Sequence, residues 1–392
     1  MQSTTQILYL GTYERDYPRN TLTIAALRRG GFDVVEVHAS IWGGAHDKTA
    51  LLEAPFTLLR LGLRLAHAYA SLFARTLRRL GHADIVIFGY IGQLDLLVLG
   101  PLVRLLGKSV VFNPLITLTD TLIDDRRKFA PHSPAVWVIR LIDRLSLSIA
   151  HMILVDTVEN GAYLTEQFGI RPERIHVVPV GADETIFQPL HDRCVSANPG
   201  LSVLFYGNMI PLQGVETIVR AARLLRDDGI HFEIIGNGQT LGAARALADN
   251  IGATNTEWGG RVPYAELPRR IARTDVVLGI FGDSAKAGRV VPNKVYQAMA
   301  MGAAIVTRDS SAQRAMLVDG DSALLVPPAD PLALADAIRH LRDPELRQRL
   351  GTAARRSFVE RASLGVQADR LRVALGPVVL GETEQCTGSI PS

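Results

Sequence analysis

The stretch with the clearest chemistry is Arg289–Gln313, RVVPNKVYQAMAMGAAIVTRDSSAQ. Its spacing predicts a loop, a short helix and a buried strand. Pro292 and Asn293 stand where the helix begins. Proline suits a first turn, whose amides have no partner, and asparagine caps it. Gly302 stands at the left-handed stop, and Ala304–Thr307 reads as the strand. A polar loop with Arg289, feeding a helix that starts with Lys294, suits an anion. Free N–H groups and the positive end of the helix dipole meet there. Gly236-Asn237-Gly238 follows the apolar run Phe232–Ile235. It permits close backbone approach to a ligand, or makes a plain strand-to-helix turn. Asp319-Gly320-Asp321 has the D-x-D form but sits in a turn between helix and strand, and we do not read it as a metal site.

The elements around these residues alternate. Apolar runs at Ile7–Leu10, Val34–Val37, Asp84–Phe88, Ser109–Phe112, Met152–Val155 and Ile175–Val178 read as strands. Helical patterns separate them, including a long one over Leu51–Leu80 and others over Leu94–Leu106 and Ala135–Ser148. Leu115–Ser133 reads as irregular and polar. Periodicity is lost between Gly181 and Ser202, then alternation resumes with Val203–Tyr206, Phe232–Ile235, Val276–Ile280 and the helix at Asn293–Met301. Leu332–Leu375 reads as a helical stretch. Such alternation predicts parallel sheets covered on both faces. The fold class expected is α/β, with two doubly wound halves that bind ligands outside the carboxyl ends of their strands. The boundaries expected are a first domain over 1–187, a linker over 188–201 and a second domain over 202–360. A helix over 361–376 returns to the first domain, and a flexible tail follows over 377–392.

The chain of 392 residues is 47% hydrophobic and 21% charged, a globular composition too long for one ordinary core. With a net charge of +3 there is no overall case for nucleic acid. Cys194 and Cys386 make neither a disulfide framework nor a zinc site, which suits a reducing compartment. The first residues, MQSTTQILYLG, lack the basic start and cleavage site of a signal peptide. Charge is concentrated in one place: Arg60–Arg79 holds five arginines (Arg60, Arg64, Arg75, Arg78, Arg79) and no acid. Interleaved with Leu, Ala, Tyr and Phe, they suit an anionic membrane surface or a core helix with a solvated basic edge.

Five segments in order resemble a glycosyltransferase of the GT-B fold, from the large retaining group known as family 4. They are TEQFGIRPERIHVVPVGADETIFQP, FYGNMIPLQGVETIVRAARLL, FEIIGNGQ with WGGRVPYAELP, VPNKVYQAMAMGAAIVT and VDGDSALLVPPADPLALADAI. The resemblance implies two Rossmann-like domains facing across a cleft, a first that holds the acceptor and a second that holds a nucleotide-sugar donor. It implies a bacterial enzyme of cell-envelope polysaccharide synthesis with no metal or other cofactor. Its place would be cytoplasmic, or peripheral on the inner face of the membrane.

The resemblance also assigns residues. The loop opening the second domain normally carries an Arg and a Lys to bind the donor's pyrophosphate, and here Asn208 and Gln213 stand there. Two Glu eight positions apart are replaced by Arg289 and Gln297. This matches a sub-branch with Pro-x-Lys before the donor helix. Arg289 and Lys294 would then neutralise the pyrophosphate, and Gln297 would bond ribose hydroxyls. Gly236, Arg261, Val262 and Gly288 would complete the donor side. Gly11 and Tyr13 would face it from the first domain. No His follows the fourth strand, which leaves Asp120, Asp124 and His132 as weak catalytic candidates. The loop acids Asp120, Asp124 and Asp125 would bind acceptor hydroxyls or serve as caps. Loss of the usual donor residues keeps open a non-catalytic GT-B subunit.

Overall fold

The computed structural model describes residues 5–40, 55–126, 128–130, 132–189 and 200–379. Two six-stranded parallel sheets form the frame. The first has the order β2-β1-β3-β4-β5-β6, from β1 (Gln6–Gly11), β2 (Asp33–His38), β3 (Ile85–Phe88), β4 (Ser109–Phe112), β5 (Met152–Val155) and β6 (Ile175–Val177). The helices between them are α1 (Pro18–Arg29), α2 (Pro55–Leu80), α3 (Gln93–Leu105), α4 (Pro134–Ile149) and α5 (Val158–Phe168). Strands such as IVIF and MILV are buried along their whole length, as a strand covered on both faces must be.

The second sheet has the order β12-β11-β10-β7-β8-β9. Its strands are β7 (Leu201–Tyr206), β8 (Ile230–Ile235), β9 (Thr256–Gly260), β10 (Val276–Leu278), β11 (Ala304–Arg308) and β12 (Leu324–Val326). Its helices are α6 (Val215–Leu224), α7 (Leu241–Ile251), α8 (Leu267–Ala272), α9 (Ala285–Arg289), α10 (Asn293–Met301), α11 (Ser311–Arg314), α12 (Pro331–His340) and α13 (Pro344–Arg361). A last helix, α14 (Leu364–Val379), leaves this domain. Its Ala368, Leu371, Ala374 and Leu375 pack with Ile7, Ile24, Leu27 and Leu154 of the first.

Three departures from the sequence reading have local causes. Leu332–Leu375 is three helices, because Asp343 caps α13 with Pro344 in its first turn and Ala362 ends it. The irregular region contains a π-helical turn over Thr119–Asp125. The polar loop read with Arg289 includes the short helix α9, which ends at Arg289 and is capped by the Ser284 hydroxyl accepting from the Ala287 amide. Residues 190–199 of the linker read over 188–201, residues 380–392 of the tail read over 377–392, and both cysteines lie outside the described residues, while α14 extends to Val379, into the stretch read as tail.

The domains share one core. Leu22, Leu115, Val180 and Phe187 cluster with Tyr206, Val295, Tyr296 and Met299 across the boundary. Beneath it lies a fully buried arginine. Arg19 donates to Asn113 Oδ1 (2.6 Å) and to the carbonyls of Val178 (2.6 Å) and Leu154 (3.2 Å). Asn113 donates in turn to the Tyr9 hydroxyl (3.2 Å) and to Thr23 Oγ1 (3.2 Å). A guanidinium survives burial only when its donors are used in this way.

Candidate functional site

In the second sheet the strand order turns around between β7 and β10, whose chains cross to opposite sides. A crevice opens outside the carboxyl ends of strands at such a point. The turn after β7, the loop after β10 and the start of α10 meet there. Pro292 precedes α10, and Gly302 ends it at φ 69°, donating to the Ala298 and Met299 carbonyls. Residues Lys294–Met301 are all buried, so this helix start is held firmly.

Lys294 is the buried cation at this meeting point. Its ammonium donates to Gln213 Oε1 at 2.5 Å and lies 3.6 Å from the centre of the Phe205 ring. A Cβ on Gly207 would stand 3.3 Å from its Nζ. Among the described residues no carboxylate offsets its charge, and burial pushes the ammonium well below the ordinary lysine range. Its partners in the protein are thus an amide oxygen and a ring, and a charge so partnered is costly to bury. Gln213 and Lys294, assigned separately from the sequence, thus form one unit.

Gln297, read as a partner for ribose hydroxyls, makes two bonds within the protein. Its Oε1 accepts from the Tyr206 hydroxyl (2.9 Å) and its Nε2 donates to the Tyr264 hydroxyl (3.2 Å). Both ends of its amide are therefore engaged within the protein. Asn208 is exposed beside the crevice. Arg261 is exposed, and Val262 packs against the shared core.

The Gly-Asn-Gly turn also has an internal reason. Gly236 adopts φ 140°, and a Cβ there would come within 1.9 Å of the Gly207 carbonyl oxygen. A Cβ on Gly238 would stand 2.6 Å from the Met209 carbonyl oxygen. Met209 N donates to Asn237 O (2.9 Å), and Thr240 N to Met209 O (2.9 Å). These glycines let two loops pair backbone to backbone. Gly288 in α9 faces the Arg308 guanidinium. Arg308, which the sequence reading passed over, donates to the carbonyls of Gly282 (2.5 Å) and Ser284 (3.4 Å) and so shapes the loop before α9. Its only signal was an arginine ending an apolar strand.

In the first domain Gly11 (φ 140°) makes room for a carboxylate: a Cβ would stand 2.4 Å from Asp95 Oδ2. Asp95 accepts from the Thr12 amide (2.7 Å) and hydroxyl (3.2 Å) and from the Tyr69 hydroxyl (2.9 Å). Burial pushes its carboxyl up to about 6 against these bonds. Tyr13, expected at the cleft, is in the core, 1% exposed, with its hydroxyl on Glu36 (3.0 Å) and its ring against Tyr9 and His38. An aromatic side chain after a strand was drawn inward by the apolar surface it could bury.

The weak catalytic candidates separate. Asp124 accepts from the Tyr163 hydroxyl (3.1 Å), and His132 is exposed. Asp120 is buried and crosses the domain boundary. Arg289 Nη2 donates to its Oδ1 at 2.5 Å, and Lys286 Nζ stands 3.2 Å from its Oδ2. Arg289 was expected to meet an anion of the ligand, and it meets Asp120. Its guanidinium lies 4.2 Å over the Tyr163 ring. Asp319, in the rejected D-x-D, accepts from the Leu325 amide (2.9 Å), as a turn residue does. Among the described residues no group of three or more His, Cys, Asp or Glu could hold a metal ion.

Residues 200–343 match the family described as "Glycosyl transferases group 1". An MMP alpha-(1->4)-mannosyltransferase of Mycolicibacterium hassiacum is 27% identical over 57% of this chain and 53% of its own. A D-inositol 3-phosphate glycosyltransferase of Acidothermus cellulolyticus is 29% identical over 52% and 48%. The chain spans about half the length of the curated relatives it matches. Among solved structures, sucrose-phosphate synthase of Thermosynechococcus elongatus superposes with a TM-score of 0.72 at 14% identity, over 96% of this chain and 100% of its own. Anabaena HepE, solved in complex with UDP-glucose, superposes with 0.68 at 14% identity, over 95% and 99%. These likenesses show the GT-B fold.

Proposed function

We propose that this chain, a GT-B protein whose second domain belongs to the group 1 glycosyl transferases, moves a sugar from a nucleotide diphosphate to a hydroxyl acceptor. One observation carries the reading: Lys294, buried at the sheet's switch point with an amide oxygen and no carboxylate for company. A pyrophosphate supplies the charge this ammonium lacks. The relatives named for sugar transfer support it, and so does HepE with its UDP-glucose. Transfer proceeds with retention, the leaving phosphate helping to take the acceptor's proton on the same face. The protein then supplies position and charge rather than a nucleophile. The acceptor is a lipid-linked or other glycan precursor.

The test is calorimetry of the wild-type chain against UDP, GDP and dTDP, then a screen of the matching nucleotide sugars for slow hydrolysis without acceptor. Binding of one nucleoside diphosphate and hydrolysis of its sugar are expected. A well-folded chain that binds none of them would instead be a non-catalytic GT-B subunit.

The acceptor side carries a membrane reading. Among the described residues no helix is long and apolar enough to cross a membrane. On α2, however, Leu63, Ala66, Ala70, Phe73 and Leu77 are exposed along one stripe, while Leu72 and Leu80 face the core. Arg64, Arg75, Arg78 and Arg79 are exposed beside that stripe; the side chain of Arg60 lies outside the described ones. Helices α3 and α4 cover the same sheet face as α2. They expose Leu94, Val98, Leu105, Trp137 and Leu145, and their acids, Asp95 and Asp143, are buried. An outer layer of large apolar side chains and arginines without a carboxylate suits an anionic bilayer. Each basic residue contributes about 1 kcal/mol at such a surface. Replacing Arg64, Arg75 and Arg78 with Ala is therefore expected to weaken binding to phosphatidylserine-containing vesicles about 100-fold in co-sedimentation. Equal pelleting of the two proteins would remove the membrane from this reading.

A further inference from the structure

The ion cluster between the domains has a role of its own. Asp120 belongs to the π-helical turn of the first domain and is 3% exposed at its side chain; Lys286 in the second domain is 5% exposed. Lys286 also donates to Thr121 Oγ1 (3.0 Å). The Thr157 hydroxyl, at the start of α5, donates to the Arg289 carbonyl (2.6 Å). Asp125 lies in the same turn. Burial raises its carboxyl, opposed by Lys286 and by the Leu212 backbone facing it. Neither of its oxygens completes a hydrogen bond, and neither does Arg289 Nε.

The cluster touches the anion site through a short path. Leu212 clusters with Ala287 of α9, next to Lys286, and precedes Gln213, which holds Lys294. The loop Pro211–Gln213 therefore stands between the interdomain charges and the buried ammonium. π-Turns are rare and concentrate at functional positions. Charges this well buried are costly unless paired, and they enforce one arrangement of the parts that carry them. Here those parts are the two domains.

We infer that Asp120 is a positioning residue: it clamps Lys286 and Arg289 across the cleft and thereby seats the 211–213 loop against Lys294 in the closed form. Asp120 touches neither donor nor acceptor. It acts through the second domain's cations: without it, Lys286 and Arg289, both on α9, face the first domain with their shared carboxylate gone, and opening the boundary lets water reach them. The inference rests on the transferase reading only for its kinetic arm.

The test is Asp120→Asn in the full chain. Small-angle X-ray scattering should give a larger radius of gyration than wild type. Nucleoside diphosphate should still bind through Lys294, but more weakly than to wild type, because Gln213 is no longer seated against that ammonium. Sugar transfer or donor hydrolysis should fall about 100-fold, the scale of a misplacement of order 1 Å, mostly in kcat. Adding Lys286→Gln and Arg289→Gln removes the stranded charges and should return the radius toward wild type, and Asp120→Glu should keep it there. A wild-type radius in Asp120→Asn overturns the clamp. So does an expanded radius that the triple variant does not reduce while its melting remains cooperative. If the wild type neither binds nor hydrolyses any nucleotide sugar, the transferase reading fails while scattering still decides the clamp.

Discussion

Lys294→Met should weaken nucleoside diphosphate binding about 10- to 150-fold while making the free protein more stable. The first effect is the loss of a charge-assisted contact, of about 1.5–3 kcal/mol. The second follows from burial. The ammonium sits among Phe205, Gly207 and Gln213 with no opposing carboxylate, and its proton affinity in the fold is depressed. A lysine with a depressed folded pKa costs stability wherever the unfolded chain would be protonated and the folded one resists. That penalty shrinks as pH rises toward the ordinary lysine range. Methionine fills the same channel without charge, so its gain in melting temperature should be largest near neutral pH and vanish near pH 10. Each kcal/mol gained shifts melting by about 2–4 °C for a domain of this size.

Binding of a diphosphate restores the missing anion and so favours the ammonium. Added diphosphate should therefore raise the melting temperature of wild type more than that of Lys294→Met. A Met variant that binds as wild type does would remove Lys294 from the anion site. One that melts lower at neutral pH would show that the ammonium is satisfied in the free protein.

Gly236→Ala should cost about 3 kcal/mol or more, summing a backbone held at φ 140° and a methyl driven to 1.9 Å from the Gly207 carbonyl oxygen. The neighbour is backbone and cannot swing aside, so the 207–209 and 236–238 loops must separate. Because Gly207 also bounds the Lys294 pocket, nucleotide binding should fall with stability. Gly242→Ala is the control. It lies in α7 with open space around its Cβ position, and alanine there should stabilise by about 0.5–1 kcal/mol. Urea unfolding of the two variants compares them. Equal midpoints would mean that the loops meet less closely than the structure places them.

Much of the frame was legible in the chain. The fully apolar strands read as such because both faces of a parallel sheet are dry, and α10 was bounded from Pro292 and Gly302 alone. The strands that escaped were β9, TEWGG, and β12, only three residues long. Both are outer strands of their sheet, where burial imprints less on composition. The breaks within Leu332–Leu375 did carry a signal: Asp343 and Pro344 form an ordinary helix start. The helical periodicity on either side outweighed it in the reading.

The site was less legible, and the reason is distance along the chain. That Lys294 opens a helix suited to an anion is local, decided by Pro292, Asn293 and the run to Gly302. That its ammonium is buried, bonded to Gln213 and free of any carboxylate depends on residues up to about 90 positions away. Arg289 shows the same limit more sharply. Its charge and its place before α10 are sequence facts. Its meeting with Asp120, 169 positions distant, is decided only when the domains close. Gly236 likewise announces a special backbone, but whether a ligand or Gly207 occupies the space beside it depends on where the second loop lies. Helix starts, stops and strand patterns are set by neighbours within a turn or two, so the sequence alone determined them. Which charges are paired, which amides are engaged and which cation is left for a ligand depend on tertiary contacts, because burial sets the cost of a charge and only the folded chain sets burial.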